Sequence, residues 1–196
     1  MIFLSRSSRS RDTHSPGFTL LEVLIAAGLS GIILAGVLTA NLQIIRNGVR
    51  LAHYAEMESQ VRRAFVFLGR DLKHAVDITW NGENDITLTI PVSATAMTKV
   101  TYAWTAASGT FYRVAGASSA ETIGRLELVR GIPAQFGGRA GLVFTRFDRT
   151  GAAATTDDAT RIITVTLTVV RGANTLARTT QNGVSATFAL RNKSSF

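Results

Sequence analysis

The chain contains no cysteine and only three prolines among its 196 residues. Without cysteine, an exported domain has no disulfide to hold it together and must depend on its packing. The absence of cysteine also excludes a lipoprotein, which needs a cysteine to carry its lipid. Seventeen glycines and a hydrophobic content of 46% are typical of a folded protein rather than a disordered one. The length provides for one modest domain in addition to a membrane segment.

Acidic residues are fewer than basic ones, 13 against 21, which gives a formal net charge of +8. Arg6, Arg9, Arg11 and Asp12 lie near the N-terminus, so the chain from residue 18 onward retains 18 basic and 12 acidic residues, a net charge of +6. A basic balance can indicate binding to nucleic acid or to an anionic surface. The arginines of the C-terminal part form no run, and this scatter favours a solvated surface. They are Arg113, Arg125, Arg130, Arg139, Arg146, Arg149, Arg161, Arg171 and Arg178.

Charge is nearly absent between Pro16 and Ala40, where Glu22 is the only ionisable side chain. An apolar run of about 18 to 20 residues is long enough to span the bilayer core as a helix. The arginines before the run place the N-terminus in the cytoplasm by the positive-inside rule, so the remainder of the chain is expected to be exported. An unpaired acid in a spanning helix costs about 2.5 to 3.5 kcal/mol on insertion scales, so Glu22 requires a partner.

The segment Gly17-Phe18-Thr19-Leu20-Leu21-Glu22 resembles the processing signature of type IV prepilins and type II secretion pseudopilins. The resemblance implies that residues 1–17 are a leader peptide. It also implies that a prepilin peptidase cuts between Gly17 and Phe18 on the cytoplasmic face and methylates the new N-terminus. When such helices pack side by side, Glu22 of one subunit can neutralise the terminal amine of its neighbour, and in low dielectric this pairing also fixes the register.

Other interpretations of the apolar segment fit less well. A secretory signal peptide has an apolar core of about 7 to 15 residues that ends in a small-residue cleavage site. Here the run is longer, and its Gly-Phe junction precedes the apolar part. A plain single-span anchor is the main remaining alternative. Within the run, Ala27, Gly31 and Ala35 recur every four residues, which permits close helix packing in lipid but also reflects how common small residues are in membrane helices.

After Ala40 the apolar pattern becomes amphipathic, with apolar residues at steps of three or four. This stripe predicts one continuous helix from Phe18 to about Val76. Residues 18–40 would be its membrane-spanning and polymerisation half, and residues 41–76 its amphipathic half. The predicted stripe consists of Leu51, Tyr54, Met57, Val61, Phe65, Leu68, Leu72 and Ala75.

From residue 77 to 196 the apolar period changes from 3.6 to 2, which predicts a β-rich periplasmic domain that packs on the helix. Asn81-Gly82 and Ser108-Gly109 are turn signals. Short strands joined by brief polar turns favour an antiparallel sheet. The predicted fold class is therefore α+β, a long N-terminal helix packed on a C-terminal antiparallel sheet, as the resemblance to pilins also implies. Strands are expected at residues 86–90, 100–104, 110–114, 125–130, 142–147, 163–170 and 184–190.

Looser similarities in the C-terminal part resemble the minor subunits called pseudopilin J and the PilW-like minor pilins. They comprise residues 67–75, 100–102, 111–113, 147–151 and 190–192. In that family, such subunits form a complex at the filament tip that primes assembly. The implied partners are other pilin or pseudopilin subunits, the prepilin peptidase and inner-membrane lipid. The implied location is the bacterial inner membrane, with a single span and a periplasmic C-terminal domain.

Candidate metal ligands are few and scattered. The histidines are far apart in sequence and have no cysteine or acidic cluster beside them, which argues against a zinc site. Three aspartates lie in a Gly/Ala/Thr-rich loop that could hold calcium, but their spacing matches no calcium loop and a solvated turn is the simpler explanation. We therefore expect no metal and no cofactor. These residues are His14, His53 and His74, with Asp148, Asp157 and Asp158.

The function expected from the sequence is that of a minor pilin or pseudopilin. Such a protein is a structural and assembly-priming subunit of a type II secretion or type IV pilus filament. The alternative is a DNA-uptake minor pilin whose basic C-terminal domain binds nucleic acid, motivated by the net charge of +6. A membrane-anchored exported enzyme has no motif in its favour, so we expect no catalytic activity.

Overall fold

The computed structural model describes residues 17–171 and 180–193. The predicted leader before residue 17, with His14, lies outside these ranges, as does Arg178. The chain forms two compact units, Met1–Asn47 and Gly48–Phe196, and its long helix contributes to both. Within the described ranges the elements are α1 Leu20–His74, β1 Asp77–Gly82, β2 Asp85–Pro91, β3 Met97–Thr105, β4 Thr110–Ala115, β5 Leu126–Arg130, β6 Gln135–Phe136, β7 Arg139–Ala140, β8 Leu142–Phe147, β9 Ile162–Arg171 and β10 Thr180–Ala189.

Helix α1 begins two residues after its predicted start at residue 18 and ends two residues before its predicted end at residue 76. Lys73 and His74 lie in its last turn, where positive charge is favourable because of the helix dipole. The helix stops there because the chain enters the sheet: the backbone N–H of Val76 donates to the carbonyl oxygen of Thr89 at 2.9 Å.

The strands form an antiparallel five-stranded sheet in the order β1-β2-β3-β4-β5, an antiparallel three-stranded sheet in the order β10-β9-β8, and a two-stranded pair, β6-β7. The predicted strands correspond to β2, β3, β4, β5, β8, β9 and β10. The turn signal at Asn81-Gly82 falls inside β1 instead, whose register shifts between Trp80 and Gly82. The turn itself lies at residues 83–84. Exposed and less exposed positions do alternate along β1, but Ile78 and Trp80 are its only large apolar residues, too few for the alternation to be recognised in the sequence.

One hydrophobic core joins the C-terminal part of α1 to both larger sheets. In the five-stranded sheet, Ile86 and Tyr102 pair across β2 and β3, and both are fully buried. In the three-stranded sheet, Phe144 pairs with Val165 across β8 and β9, again without exposed surface. The helix contributes its buried stripe between them, so a single helix holds the two sheets together. That stripe consists of Met57, Val61, Ala64, Leu68, Leu72 and the adjoining Ala75.

The predicted stripe on α1 starts too early. Leu51 and Tyr54 were expected to pack on the sheet, but their exposed fractions are 69% and 42%. Burial begins at Met57 and is only partial at Phe65. Periodicity identifies the face of a helix that is apolar, but it does not give the length of helix that a sheet can cover.

Side chains of α1 also satisfy the edge of β5, the last strand of the five-stranded sheet. The backbone N–H of Arg130 donates to Oε1 of Gln60 at 3.1 Å, and the guanidinium of Arg63 donates to the carbonyl oxygen of Glu127 at 3.4 Å. Unpaired backbone groups on an edge strand invite pairing with another chain. These contacts occupy two such groups and thereby protect this edge.

A buried ionic cluster fastens the end of α1 to β3 and β4. Oδ2 of Asp71 accepts hydrogen bonds from the Tyr102 hydroxyl at 2.8 Å and from Nε of Arg113 at 2.7 Å. Oδ1 of the same carboxylate accepts from Nε of Arg70 at 3.2 Å. The Asp71 side chain is 6% exposed and that of Arg113 is 21% exposed, so water screens this ion pair little.

The position of Asp71 explains why its negative charge requires a positively charged partner. Asp71 lies in the last turn of α1, where a negative charge is unfavourable because the free carbonyl groups carry the negative end of the helix dipole. It is also removed from water, which disfavours any isolated charge. Arg113 offsets both effects. Burial lowers the pKa of Arg113, but the hydrogen bond to Asp71 and the charge of Asp71 outweigh it, so the pKa is raised overall.

The cluster makes stability depend on alkaline pH through Tyr102. Burial raises the pKa of its hydroxyl above the ordinary value of about 10, and the charge of Asp71 and the hydrogen bond to it raise it further. The folded chain thus holds this proton at a pH where the unfolded chain releases it. The resulting stabilisation is complete below pH about 10 and is lost as the pH rises above it.

We therefore expect the free energy of unfolding to fall by about 1.4 kcal/mol per pH unit above pH about 10 through this group alone. Urea unfolding at a series of alkaline pH values measures the slope. In Tyr102→Phe this contribution to the slope disappears, while Tyr54→Phe, which changes an exposed tyrosine, serves as the control. Parallel profiles for the wild type and Tyr102→Phe would contradict the prediction.

Candidate processing and assembly site

The start of α1 is fixed by a reciprocal pair of side chains, Thr19 and Glu22. The backbone N–H and the hydroxyl of Thr19 donate to Oε2 of Glu22 at 2.8 and 3.0 Å. In return, the backbone N–H of Glu22 lies 3.2 Å from the Thr19 hydroxyl oxygen, which accepts its hydrogen bond. This arrangement is a capping box, in which an N-cap threonine and a glutamate three residues later satisfy each other's backbone donors.

The capping box gives Glu22 a partner within its own chain. An acid near the first turn is also stabilised by the positive end of the helix dipole. Within the described chain, the backbone N–H and hydroxyl of Thr19 thus hold the Glu22 carboxylate. Neither donor is charged, so the pairing of Glu22 with the terminal amine of a neighbouring subunit stays a prediction. The Thr-x-x-Glu spacing was visible in the sequence, and the capping box is the signal that would have predicted this contact.

The proposed cleavage position lies immediately before this cap. Gly17 and Phe18 precede the helix, and both are exposed, Phe18 to 88%. A Cβ built on Gly17 would have no other heavy atom within 4 Å. In the described structure the peptide bond between the two residues is therefore open to a protease, and its role as the processing site stays a prediction.

The first part of α1 is apolar on every side. It is long and apolar enough to cross a membrane, and none of this segment is buried within the described structure. Large exposed side chains extend from Leu20 to Ile45. A helix that is hydrophobic all round requires an apolar environment, which the described residues do not provide for this segment. The segment fits a membrane-anchored protein.

The small residues Ala27, Gly31 and Ala35 lie along one side of this segment, since they are spaced at four-residue intervals on a helix. All three are exposed, and a Cβ on Gly31 would meet no heavy atom within 4 Å. No described residue packs against them. Their proposed role in packing against another helix is therefore neither supported nor contradicted by the single chain.

The aspartates considered for calcium use partners from the protein. The carboxylate of Asp148 accepts hydrogen bonds from the hydroxyl and backbone N–H of Thr150, at 2.7 and 2.8 Å, and from the N–H of Ala152 at 3.0 Å. These bonds lower the pKa of Asp148. Asp157 forms an ion pair with Arg146 at 2.6 Å. Within the described ranges, no group of three His, Cys, Asp or Glu side chains could hold a metal ion.

Residues 13–38 match the family model described as the prokaryotic N-terminal methylation motif. No curated protein matched the chain. The matched range contains the exposed Gly17-Phe18 bond, the Thr19–Glu22 cap and most of the apolar segment. Together with the α+β layout, this match supports a type IV pilin-like or pseudopilin protein anchored in a membrane, a family whose role is structural.

Proposed function

We propose that this chain is a minor pilin or pseudopilin that is processed by a prepilin peptidase between Gly17 and Phe18. It then enters a type II secretion or type IV pilus filament. The observation that carries the proposal is the position of the motif. The Gly-Phe bond is exposed, lies directly before a capped apolar helix, and belongs to a segment that matches the methylation motif.

The chemistry of assembly follows from the charges at the start of α1. Cleavage after Gly17 creates an ammonium group on Phe18, whose unperturbed pKa of about 7.7 to 8 keeps it mostly charged, and methylation retains the charge. Glu22 lies about one helical turn away. In the isolated subunit its carboxylate is held by Thr19. In a filament it would exchange these donors for the ammonium group of a neighbouring subunit, which fixes the register of two apolar helices.

Ala27, Gly31 and Ala35 are the proposed contact surface between neighbouring helices in the membrane and in the filament. Close approach of backbones increases dispersion contacts between the helices, which matters because no hydrophobic effect drives helices together within lipid. The exported unit that begins near Gly48 would then lie on the periplasmic side. Within the filament we propose a minor, assembly-priming role, on the basis of the similarities to pseudopilin J and PilW-like subunits.

The deciding measurement is the mass of the protein purified from its native membrane. We expect the chain to begin at Phe18, with one methyl group on the terminal nitrogen. A chain that still begins at Met1 would contradict both the processing and the filament role. A chain cut after the apolar segment would indicate a secretory signal peptide instead.

A second candidate function is nucleic-acid binding by the exported unit. It is favoured by the net charge of +6 from residue 18 onward. It is also favoured by a cleft that several basic residues line without an acidic one. Retardation of DNA in a gel by the purified protein, weakening with salt, tests it; absent or salt-insensitive retardation rejects it.

A further inference from the structure

Three arginines that are far apart in sequence meet at one end of the three-stranded sheet. Arg149 follows β8, Arg161 precedes β9, and Arg191 follows β10. The antiparallel register brings these three strand ends together, because Ile162 of β9 pairs with Phe147 on one side and with Ala189 on the other. The scatter of these arginines in the sequence therefore does not persist in the fold.

The backbone extends this alignment beyond the strands. The N–H of Arg161 donates to the carbonyl oxygen of Phe147 at 2.8 Å, and the carbonyl oxygen of Arg161 accepts from the N–H of Leu190 at the same distance. The guanidinium of Arg161 is itself held in place, since it donates to the carbonyl oxygens of Asp158 at 2.6 Å and Thr160 at 3.0 Å. The centre of the group is thus rigidly positioned.

These residues line a cleft of about 390 Å³, together with Lys193 and three apolar residues. No acidic side chain lines it. The side chain of Lys193 is 5% exposed, and its charge is balanced by Asp77, at 3.1 Å. Arg149 and Arg191 are exposed, and neither has a hydrogen bond or ion pair with a described residue. Two guanidinium groups therefore remain available to a ligand.

Within the described ranges, neither Asp148 nor Asp157 forms an ion pair with Arg149 or Arg191. Asp148, although adjacent to Arg149 in sequence, is occupied by donors of its own turn, the Thr150 hydroxyl and two backbone N–H groups. Asp157 is occupied by Arg146 at 2.6 Å. A guanidinium presents several donors in a planar fork that matches the oxygens of a phosphate group. The cleft therefore has the chemistry of an anion site.

We propose that this cleft binds the phosphodiester backbone of nucleic acid, with Arg149 and Arg191 as the phosphate-contacting residues. The net charge of +6 from residue 18 onward supports a polyanionic ligand, because the long-range field of the whole chain attracts it. Described residues of the cleft lining include no aromatic side chain on which a base would stack. Binding is therefore expected to be independent of base sequence. This inference specifies a site for the second candidate function and does not depend on filament assembly.

The test uses the full chain in non-ionic detergent and a fluorescent oligothymidylate, with fluorescence anisotropy recorded over a range of salt concentrations. Arg149→Gln/Arg191→Gln removes two phosphate contacts. For a single strand we expect the slope of log K against log salt to decrease in magnitude by about 1.4, which is about 25-fold in affinity at about 0.1 M salt. Arg149→Lys/Arg191→Lys keeps the charge and should retain most of the affinity.

The matched control is Arg50→Gln/Arg139→Gln. It changes the net charge equally. Both residues are exposed, and neither side chain has a hydrogen bond or ion pair with a described residue. If the cleft variant and the control lose affinity equally, the nucleic-acid function stands but the proposed site is wrong. If the wild type does not bind DNA, both are wrong. Binding to phosphatidylglycerol vesicles that requires the cleft arginines, without binding to DNA, would overturn the proposal in favour of an anionic membrane surface.

Discussion

Gly17→Leu is expected to abolish processing, so that the protein recovered from its native membrane retains the residues before Phe18. Glycine allows the backbone to approach a binding partner closely, because it has no Cβ. In the described structure nothing lies within 4 Å of the position that a Cβ would take on Gly17. The substitution therefore should not disturb the folded chain, and its effect would fall on recognition by the peptidase.

Intact-mass measurement of membrane-purified protein detects the retained leader directly. The matched control is Gly28→Leu, because Gly28 also has no heavy atom within 4 Å of its Cβ position and lies inside α1. That variant should still begin at Phe18. Glu22→Gln should also be processed, but it removes the charge proposed to pair with the neighbouring subunit, so its recovery in purified filaments should fall. Normal trimming of Gly17→Leu would disprove recognition at this position.

Asp71→Ala is expected to destabilise the exported unit strongly. It leaves Arg113 charged and largely buried, with its main partner removed, and it leaves the Tyr102 hydroxyl without its acceptor. Breaking a buried ion pair in this way typically costs about 3 to 5 kcal/mol. Since a domain of this size has a total stability of about 5 to 15 kcal/mol, the loss is a large fraction of it.

Chemical and thermal unfolding of the full chain in detergent measure this loss, and we expect the midpoint temperature to fall by about 10 °C. Arg70→Ala is the control. It removes the third partner of the same carboxylate, but the Arg70 side chain is 56% exposed, so a loss of at most about 1 kcal/mol is expected. The triple variant Asp71→Leu/Tyr102→Phe/Arg113→Met should recover much of the stability, because it leaves no buried polar side chain of the cluster unpaired, and Arg70 is exposed to water. Equal losses of stability in Asp71→Ala and Arg70→Ala would contradict the prediction, because they would show that the buried ion pair contributes no more than the exposed one.

Local patterns in the sequence predicted most of the fold. The apolar period located α1 and seven strands because the spacing of side chains is a property of each element by itself. The division of the strands into two larger sheets and a two-stranded pair was not predicted, because it depends on which strands pair. The burial of Asp71 was missed for a similar reason. Its partner Arg113 is 42 positions away in sequence, and an isolated aspartate on a helix normally faces solvent.

The two candidate sites also differ in whether their residues are neighbours in the sequence. The processing segment is contiguous, so both the motif and the Thr19–Glu22 cap can be read from neighbouring residues. The basic cleft cannot, because Arg149, Arg161 and Arg191 come together only through the register of β8, β9 and β10. Scatter along the chain favoured a solvated surface for Arg149 and Arg161. Antiparallel pairing brings both of them to one end of a sheet, beside Arg191.

The position of the cap has a consequence for the mature protein. Thr19 and Glu22 both lie on the C-terminal side of the Gly17-Phe18 bond, so hydrolysis at that bond would release the leader without touching either residue. A cut one turn later, inside α1, would separate the threonine from its glutamate and leave the new end frayed in lipid, where bare amide groups are costly. Cleavage by the peptidase at this bond would therefore leave a mature chain whose helix is already capped. The new N-terminus would need no refolding before it meets another subunit.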